Sequence, residues 1–131
     1  MQRKRVLIIE DEESLLKLLT VILTVNGFEV SGVSTGSEAL EKLSNEAFDL
    51  ILLDIMLPDI NGYDICRRIK EHPLHASIPV VMLTAKKSAE DRELGSTCGA
   101  AAYLTKPFKS AIIIEVIEKL LGKGVKMEKN T

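Results

Sequence analysis

An acidic run, Glu10-Asp11-Glu12-Glu13, breaks directly out of the apolar stretch Val6-Leu7-Ile8-Ile9. Carboxylates so close oppose one another's ionisation. They suit either the first turn of a helix, at the positive end of its dipole, or a hard cation that prefers oxygen ligands. Glu12 and Glu13 fit the helical role as N-terminal caps, whereas Glu10 and Asp11 sit where the backbone turns. A third carboxylate, Asp54, closes the run Ile51-Leu52-Leu53, where a charge is expensive to bury without a partner or a metal. Thr84 follows Val80-Val81-Met82-Leu83 in the same way, and Lys106 lies just past the short run 101–104. Alone, Thr84 is an ordinary β-former or helix cap, and Lys106 an ordinary surface lysine whose backbone is restricted by Pro107.

Taken together, these residues suggest phosphoryl transfer to Asp54. A carboxylate can act as nucleophile, forming an acyl phosphate, and needs no base. The transfer requires in-line positioning and cancellation of charge on three equatorial oxygens. Magnesium held by the carboxylates, the Lys106 ammonium and the Thr84 hydroxyl are each suited to a share of that cancellation.

For this chemistry, residues scattered from position 10 to position 106 must meet. Apolar runs recur at 6–9, 28–33, 50–54, 79–83 and 101–104, and most do not alternate with polar residues. Such runs are expected of strands buried on both faces, hence of a parallel sheet. Between them lie segments of helical period. Leu15, Leu18, Leu19, Ile22 and Leu23 form a stripe that stops at Asn26-Gly27. Thr35-x-x-Glu38 reads as a capping box before Ala39, Leu40 and Leu43. Asn61 caps a helix through Ile65 and Ile69 that Pro73 prevents from continuing, and Ser88-x-x-Asp91 opens a fourth helix. That helix has few apolar anchors, Ala89, Leu94 and Cys98, with Gly95 inside it. The last carries Ile113, Ile114, Ile117, Leu120 and Leu121, followed by Gly122 and Gly124.

Strand and helix thus alternate five times, which predicts an α/β, doubly wound sheet with helices on both faces and right-handed crossovers. Ligands of such folds bind outside the carboxyl ends of the strands, where strand order reverses. Those ends deliver Glu10-Asp11, Asp54, Thr84 and Lys106 to one edge. The expected domain spans residues 1–121, with 122–131 a polar tail or linker.

In "VLIIEDEE", "DLILLDIMLPDINGYD", "IPVVMLTAK" and "YLTKPF", in that order and spacing, the chain resembles the receiver domain of bacterial two-component response regulators over about residues 4 to 121. The resemblance implies a flavodoxin-like sheet of five strands in the order 2-1-3-4-5, with five helices. It implies that Asp54 accepts a phosphoryl group from a histidine kinase, a phosphotransfer protein or a small phosphodonor. Magnesium would be bound by Asp11 and Asp54, with Glu10 acting through water and the Met56 backbone carbonyl as a further ligand. Thr84 and Lys106 would sense the phosphoryl group, Tyr103 would be the aromatic switch, and Pro58 and Gly62 would shape the loop after Asp54. The implied partners are the kinase and a downstream protein or effector domain. The output face would comprise the fourth helix, the strand around Tyr103 and the last helix.

Some positions depart from the common pattern. Glu10 stands where Asp is more frequent. Ala101 and Ala102 replace acidic residues that help a dimer interface in many DNA-binding regulators, which makes that particular dimer less expected, although a phosphorylation-dependent homodimer stays open. Met56 cannot orient an attacking water and Lys86 can shield an acyl phosphate by pairing with it, so slow self-dephosphorylation is expected.

A chain of 131 residues that is 46% hydrophobic and 27% charged suits one globular domain. A net charge of −2 offers no electrostatic reason for direct binding to nucleic acid or an anionic membrane. The first apolar run is too short for a signal peptide and no window has the length of a membrane span, so a cytoplasmic protein is expected. Cys66 and Cys98, both in expected helices, read as reduced thiols, and His72 and His75 as solvated loop residues. Three rivals to phosphoryl signalling remain. An aspartyl-nucleophile phosphatase would want a second Asp where Met56 stands. A flavin module would want a phosphate-cradling loop after the first strand. A degenerate receiver used only for protein binding would not need the set Asp11, Asp54, Thr84 and Lys106 intact.

Overall fold

The computed structural model describes residues 3–85 and 98–122. Strands β1 (Arg5–Ile9), β2 (Glu29–Val33), β3 (Leu50–Asp54), β4 (Val80–Thr84) and β5 (Ala102–Thr105) form one sheet in the order β2-β1-β3-β4-β5. Every pairing is parallel. Helices α1 (Glu13–Val25), α2 (Gly36–Asn45), α3 (Gly62–Glu71) and α4 (Ser110–Leu121) complete the described elements. The helix expected from Ser88 onward lies outside the described residues, so the four helices seen here are not a count for the whole chain. Cys98, expected at the end of that helix, instead occupies a turn ahead of β5.

The unbroken apolar runs have a direct structural cause, since successive strand residues feed opposite faces of the sheet and both faces are covered. Leu7, Ile9, Ile51, Leu53, Val80 and Met82 join Ala39, Leu43, Ile65 and Ile69 on the side of α2 and α3. Val6, Ile8, Leu50, Leu52, Val81 and Leu83 join Leu19, Leu23, Ile113 and Ile117 on the side of α1 and α4. Burying each such side chain contributes about 1.5–3 kcal/mol relative to leaving it in water. That gain from residues on both sides is what holds five short strands in register.

Local punctuation agrees with the caps expected from sequence in most places. Thr35 Oγ1 accepts from the Glu38 N–H at 3.1 Å, while Glu38 reaches back to the Ser34 N–H, one residue before the usual reciprocal position. Asn61 Oδ1 accepts from the Tyr63 N–H at 2.7 Å, α3 stops at Glu71, and Gly122 closes α4 in the left-handed region at φ 77°. Three expectations need correction. Leu18, counted in the buried stripe of α1, is 55% exposed, because only Leu19 and Leu23 of that stripe lie under the helix axis. Glu12 occupies the N-cap position of α1 without a side-chain cap bond, its N–H donating instead to Glu10 Oε2. His75 is half-buried rather than solvated, stacked on His72 with its Nε2 3.1 Å from the Leu43 carbonyl oxygen. No described helix is long and apolar enough to cross a membrane.

Gly62 opens α3 against the backbone of the preceding strand end. A Cβ there would sit 2.5 Å from the Asp54 carbonyl oxygen and 2.6 Å from Ile55 Cα, and neither atom can rotate away. Gly62→Ala is therefore expected to lower stability by about 1–3 kcal/mol, the usual cost of overpacking, read as a lower urea midpoint with unchanged slope.

Candidate functional site

Parallel register brings the strand ends level with one another. Ile9 pairs with Leu53, so Glu10 and Asp54 leave neighbouring strands at the same height. Asp54 pairs with Leu83 and Thr84 with Thr105, and the Lys106 N–H donates to the Thr84 carbonyl oxygen at 2.6 Å. The Glu10 N–H donates to the Val33 carbonyl oxygen at 3.0 Å, which ties the start of the acidic run to the end of β2. Glu10, Asp54 and Thr84 are all buried, at 1%, 4% and 1% exposure, in contrast with the exposed Asp11 beside them.

Side-chain contacts then connect residues that are remote in sequence. Lys106 Nζ lies 3.1 Å from Glu10 Oε1 and 3.5 Å from Asp54 Oδ1. One carboxylate oxygen from each of Glu10, Asp11 and Asp54 falls within a 4.8 Å cluster. Asp54 Oδ1 also accepts from the Met56 N–H at 3.3 Å. Burial first, and then the Glu10 charge, push the Asp54 carboxyl up to about 6, against the opposing pull of Lys106 and the Met56 N–H. One ammonium therefore compensates the cluster only in part. An acidic, oxygen-only donor set with unbalanced negative charge fits a hard dication such as magnesium.

The loop after Asp54 is held from two sides. The Gly62 N–H donates to the Ile55 carbonyl oxygen at 2.9 Å, closing the loop on itself. Asp59 Oδ1 accepts from the Gly36 N–H at 2.8 Å, and its Oδ2 accepts from the Ser37 N–H and hydroxyl at 2.9 and 2.7 Å. These bonds, the Gly36 N–H foremost, hold the Asp59 carboxyl far below the usual carboxylate range. Sequence reading overlooked Asp59. It stands in a Pro-Asp-x-Asn-Gly turn where an acid is unremarked, and its partners begin 23 positions upstream.

Of the residues singled out by sequence, Glu10, Asp54 and Lys106 are joined by ion pairs, and Asp11 places a carboxylate oxygen within 4.8 Å of those of Glu10 and Asp54. Thr84 stands at the same strand edge. Met56 is 63% exposed and shares a shallow concavity with Asp11, Ile55, Pro58 and Asp59. Tyr103 is half-buried, level with Met82 on β4, and packs against the apolar cluster on the α2–α3 side. Lys86 lies outside the described residues.

A doubly wound parallel sheet with an acidic pocket and one lysine at its carboxyl edge is the class of protein that these observations define. The chain belongs to the response regulator receiver domain family, whose model matches residues 6–118. It is 43% identical over 121 residues to the alkaline phosphatase synthesis transcriptional regulatory protein PhoP of Bacillus subtilis, covering 92% of this chain and 50% of that protein. The chain thus spans about half the length of the curated relatives it matches. Among solved structures it resembles a response regulator receiver domain protein from Methanospirillum hungatei, with TM-score 0.87 and 33% identity over 95% of this chain and 98% of that one. It also resembles the receiver domain of a sensor histidine kinase from Pseudomonas aeruginosa that has a magnesium ion coordinated in its active-site cleft. That match has TM-score 0.86 and 29% identity over 92% of this chain and 99% of that one. The chain is therefore a receiver domain of the two-component type, a signalling module.

The raised Asp54 value has a consequence for stability. The folded state holds this proton more tightly than the unfolded chain, whose carboxyl titrates near 3.8. Metal-free protein should therefore lose stability as pH rises from about 4 through about 6, by up to about 3 kcal/mol. Asp54→Asn should flatten that segment of the pH–stability curve and unfold later than wild type at pH 7 without metal. Parallel curves for the two proteins would contradict the assignment of strain to Asp54.

Proposed function

We propose that this domain accepts a phosphoryl group on Asp54 in a magnesium-dependent reaction, from a histidine kinase or histidine phosphotransfer protein, and passes the change to a downstream partner or effector domain. The observation that carries this reading is the placement of Lys106 Nζ within 3.1 Å of Glu10 and 3.5 Å of Asp54, beside a three-carboxylate cluster. Asp11, Asp54 and Glu10 are the residues suited to hold the metal, with the Met56 backbone carbonyl as a further ligand. Bound there, magnesium would supply positive charge to the phosphoryl oxygens.

The chain's own groups would do the rest. A carboxylate oxygen of Asp54 forms the new bond to phosphorus as the bond to the leaving nitrogen breaks, and no proton has to be removed from the nucleophile. Lys106 exchanges its contact with Asp54 Oδ1 for a phosphoryl oxygen, and the Thr84 hydroxyl donates to another. Burial keeps bulk water away from Asp54 and strengthens both interactions. Because the Lys106 N–H bonds to the Thr84 carbonyl, a shift at one is felt by the other, and Tyr103 on β5 is the side chain suited to turn inward in response. The strand around Tyr103 and α4 would form the described part of the output face.

The unit that does this is taken as residues 1–121, a boundary supported by the end of α4 at Gly122. A cytoplasmic setting follows from the kinase partner, and a phosphorylation-dependent homodimer is compatible with the reading. The domain itself would contact neither nucleic acid nor membrane.

Incubation with acetyl phosphate and magnesium should add one phosphoryl group to wild type by intact mass. The gain should be absent in Asp54→Ala and after chelation of the metal, and slowed at least about tenfold in Lys106→Ala, the loss expected when one charge-cancelling group is removed. An equal gain in Asp54→Ala would overturn the proposal. With the exposed Met56 replaced by a side chain able to orient water, Met56→Asn should lose its phosphoryl group several-fold faster than wild type in a discontinuous mass assay.

A further inference from the structure

Cys66 comes from α3 and Cys98 from the turn ahead of β5, yet both belong to one apolar cluster, at 0% and 3% exposure. The Cys66 thiol donates to the Cys98 carbonyl oxygen at 3.5 Å, which sets the two cysteines side by side. Their surroundings differ. The bond from Cys66, then the Ala100 N–H, with Arg67 contributing, draw the Cys98 thiol down to about 7, whereas Cys66 is pushed up. A thiol with thiolate character beside a protonated one is the pairing that dithiol oxidation requires. Lys70 of α3 also lies against this turn. Lys70 donates to the carbonyl oxygens of Ala76 and Ile78, and its side chain underlies Gly99, where a Cβ would come within 2.9 Å of Lys70 Cγ.

We propose that Cys66 and Cys98 form a reversible oxidation site, closed by a hydroperoxide into a disulfide that ties α3 to the turn feeding β5. The sulfur of Cys98, a buried residue with 3% exposure beside exposed Gly99, attacks one peroxide oxygen. An S–O bond forms, the O–O bond breaks, and an alcohol or water leaves. The Cys66 sulfur then attacks the resulting sulfenic acid. The S–S bond forms, the S–O bond breaks, and hydroxide departs as water with the Cys66 proton. Two thiols lose two electrons and the peroxide gains them; exchange with a small thiol reverses the change.

This site stands apart from the phosphoryl chemistry. The Ala101 N–H bonds to the Val80 carbonyl oxygen at 2.8 Å, so the turn carrying Cys98 enters at the amino edge of the sheet, opposite the acidic cluster. The disulfide bridges positions 32 apart and removes freedom from the unfolded chain.

The test is native protein treated with a modest excess of hydrogen peroxide, quenched, denatured, and alkylated with N-ethylmaleimide. The expected result is a monomer lighter by two hydrogens that takes up no maleimide until reduced, with a peptide pair joining positions 66 and 98 and a higher unfolding midpoint. Cys66→Ser should stop at a sulfenic acid on Cys98, and Cys98→Ser should resist oxidation at Cys66. Acceptance of phosphoryl from acetyl phosphate should survive oxidation. Two maleimides on peroxide-treated wild type, a crosslinked dimer, or conversion to sulfinic acid without a disulfide would each overturn the proposal, and all three are read on wild type alone.

Discussion

Lys106 Nζ, set between Glu10 and Asp54, is the contact around which the functional edge of this domain is organised. At an effective dielectric near 20, an ion pair at such distances is worth roughly 5 kcal/mol, and two like charges within 4.8 Å repel by about 3–4 kcal/mol. One ammonium can therefore offset part of the repulsion among three carboxylates, but not all of it. Burial first, and then the residual imbalance, displaces the Asp54 carboxyl upward. It also makes the pocket receptive to a dication and then to a phosphoryl group, each of which changes the same balance of charge.

Burial gives that balance its magnitude. The apolar strands that end at Glu10, Asp54 and Thr84 are covered on both faces, so their terminal polar groups emerge with little access to water. On a sheet solvated on one face, the same side chains would be screened and interact weakly. The two-sided packing that stabilises the fold therefore also makes its polar edge responsive.

The loop after Asp54 shows how such an edge is kept in place. Gly62 lets α3 begin against the strand backbone, and Asp59 fastens the loop to the first N–H groups of α2. Met56, ahead of both anchors, keeps its N–H on Asp54 while its side chain stays in solvent. Position in the pocket is thus enforced by the close approach of Gly62 to the strand backbone and by the Asp59 side chain bonded to the start of α2.

Much of this was legible in sequence because it depends on local rules. Two-faced burial leaves uninterrupted apolar runs, helix starts need capping side chains, and polar groups that end such runs announce the edge where function resides. Thr35, Asn61 and Gly122 could be read for the same reason, since each acts within a few residues of itself. Leu18 and His75 could not, because exposure depends on which neighbours a helix or loop meets. The Lys106–Glu10 pair, the grip of Asp59 on α2 and the meeting of Cys66 with Cys98 likewise required tertiary structure. Each joins residues more than twenty positions apart, and only the parallel register and the packing of helices on the sheet bring them within bonding distance.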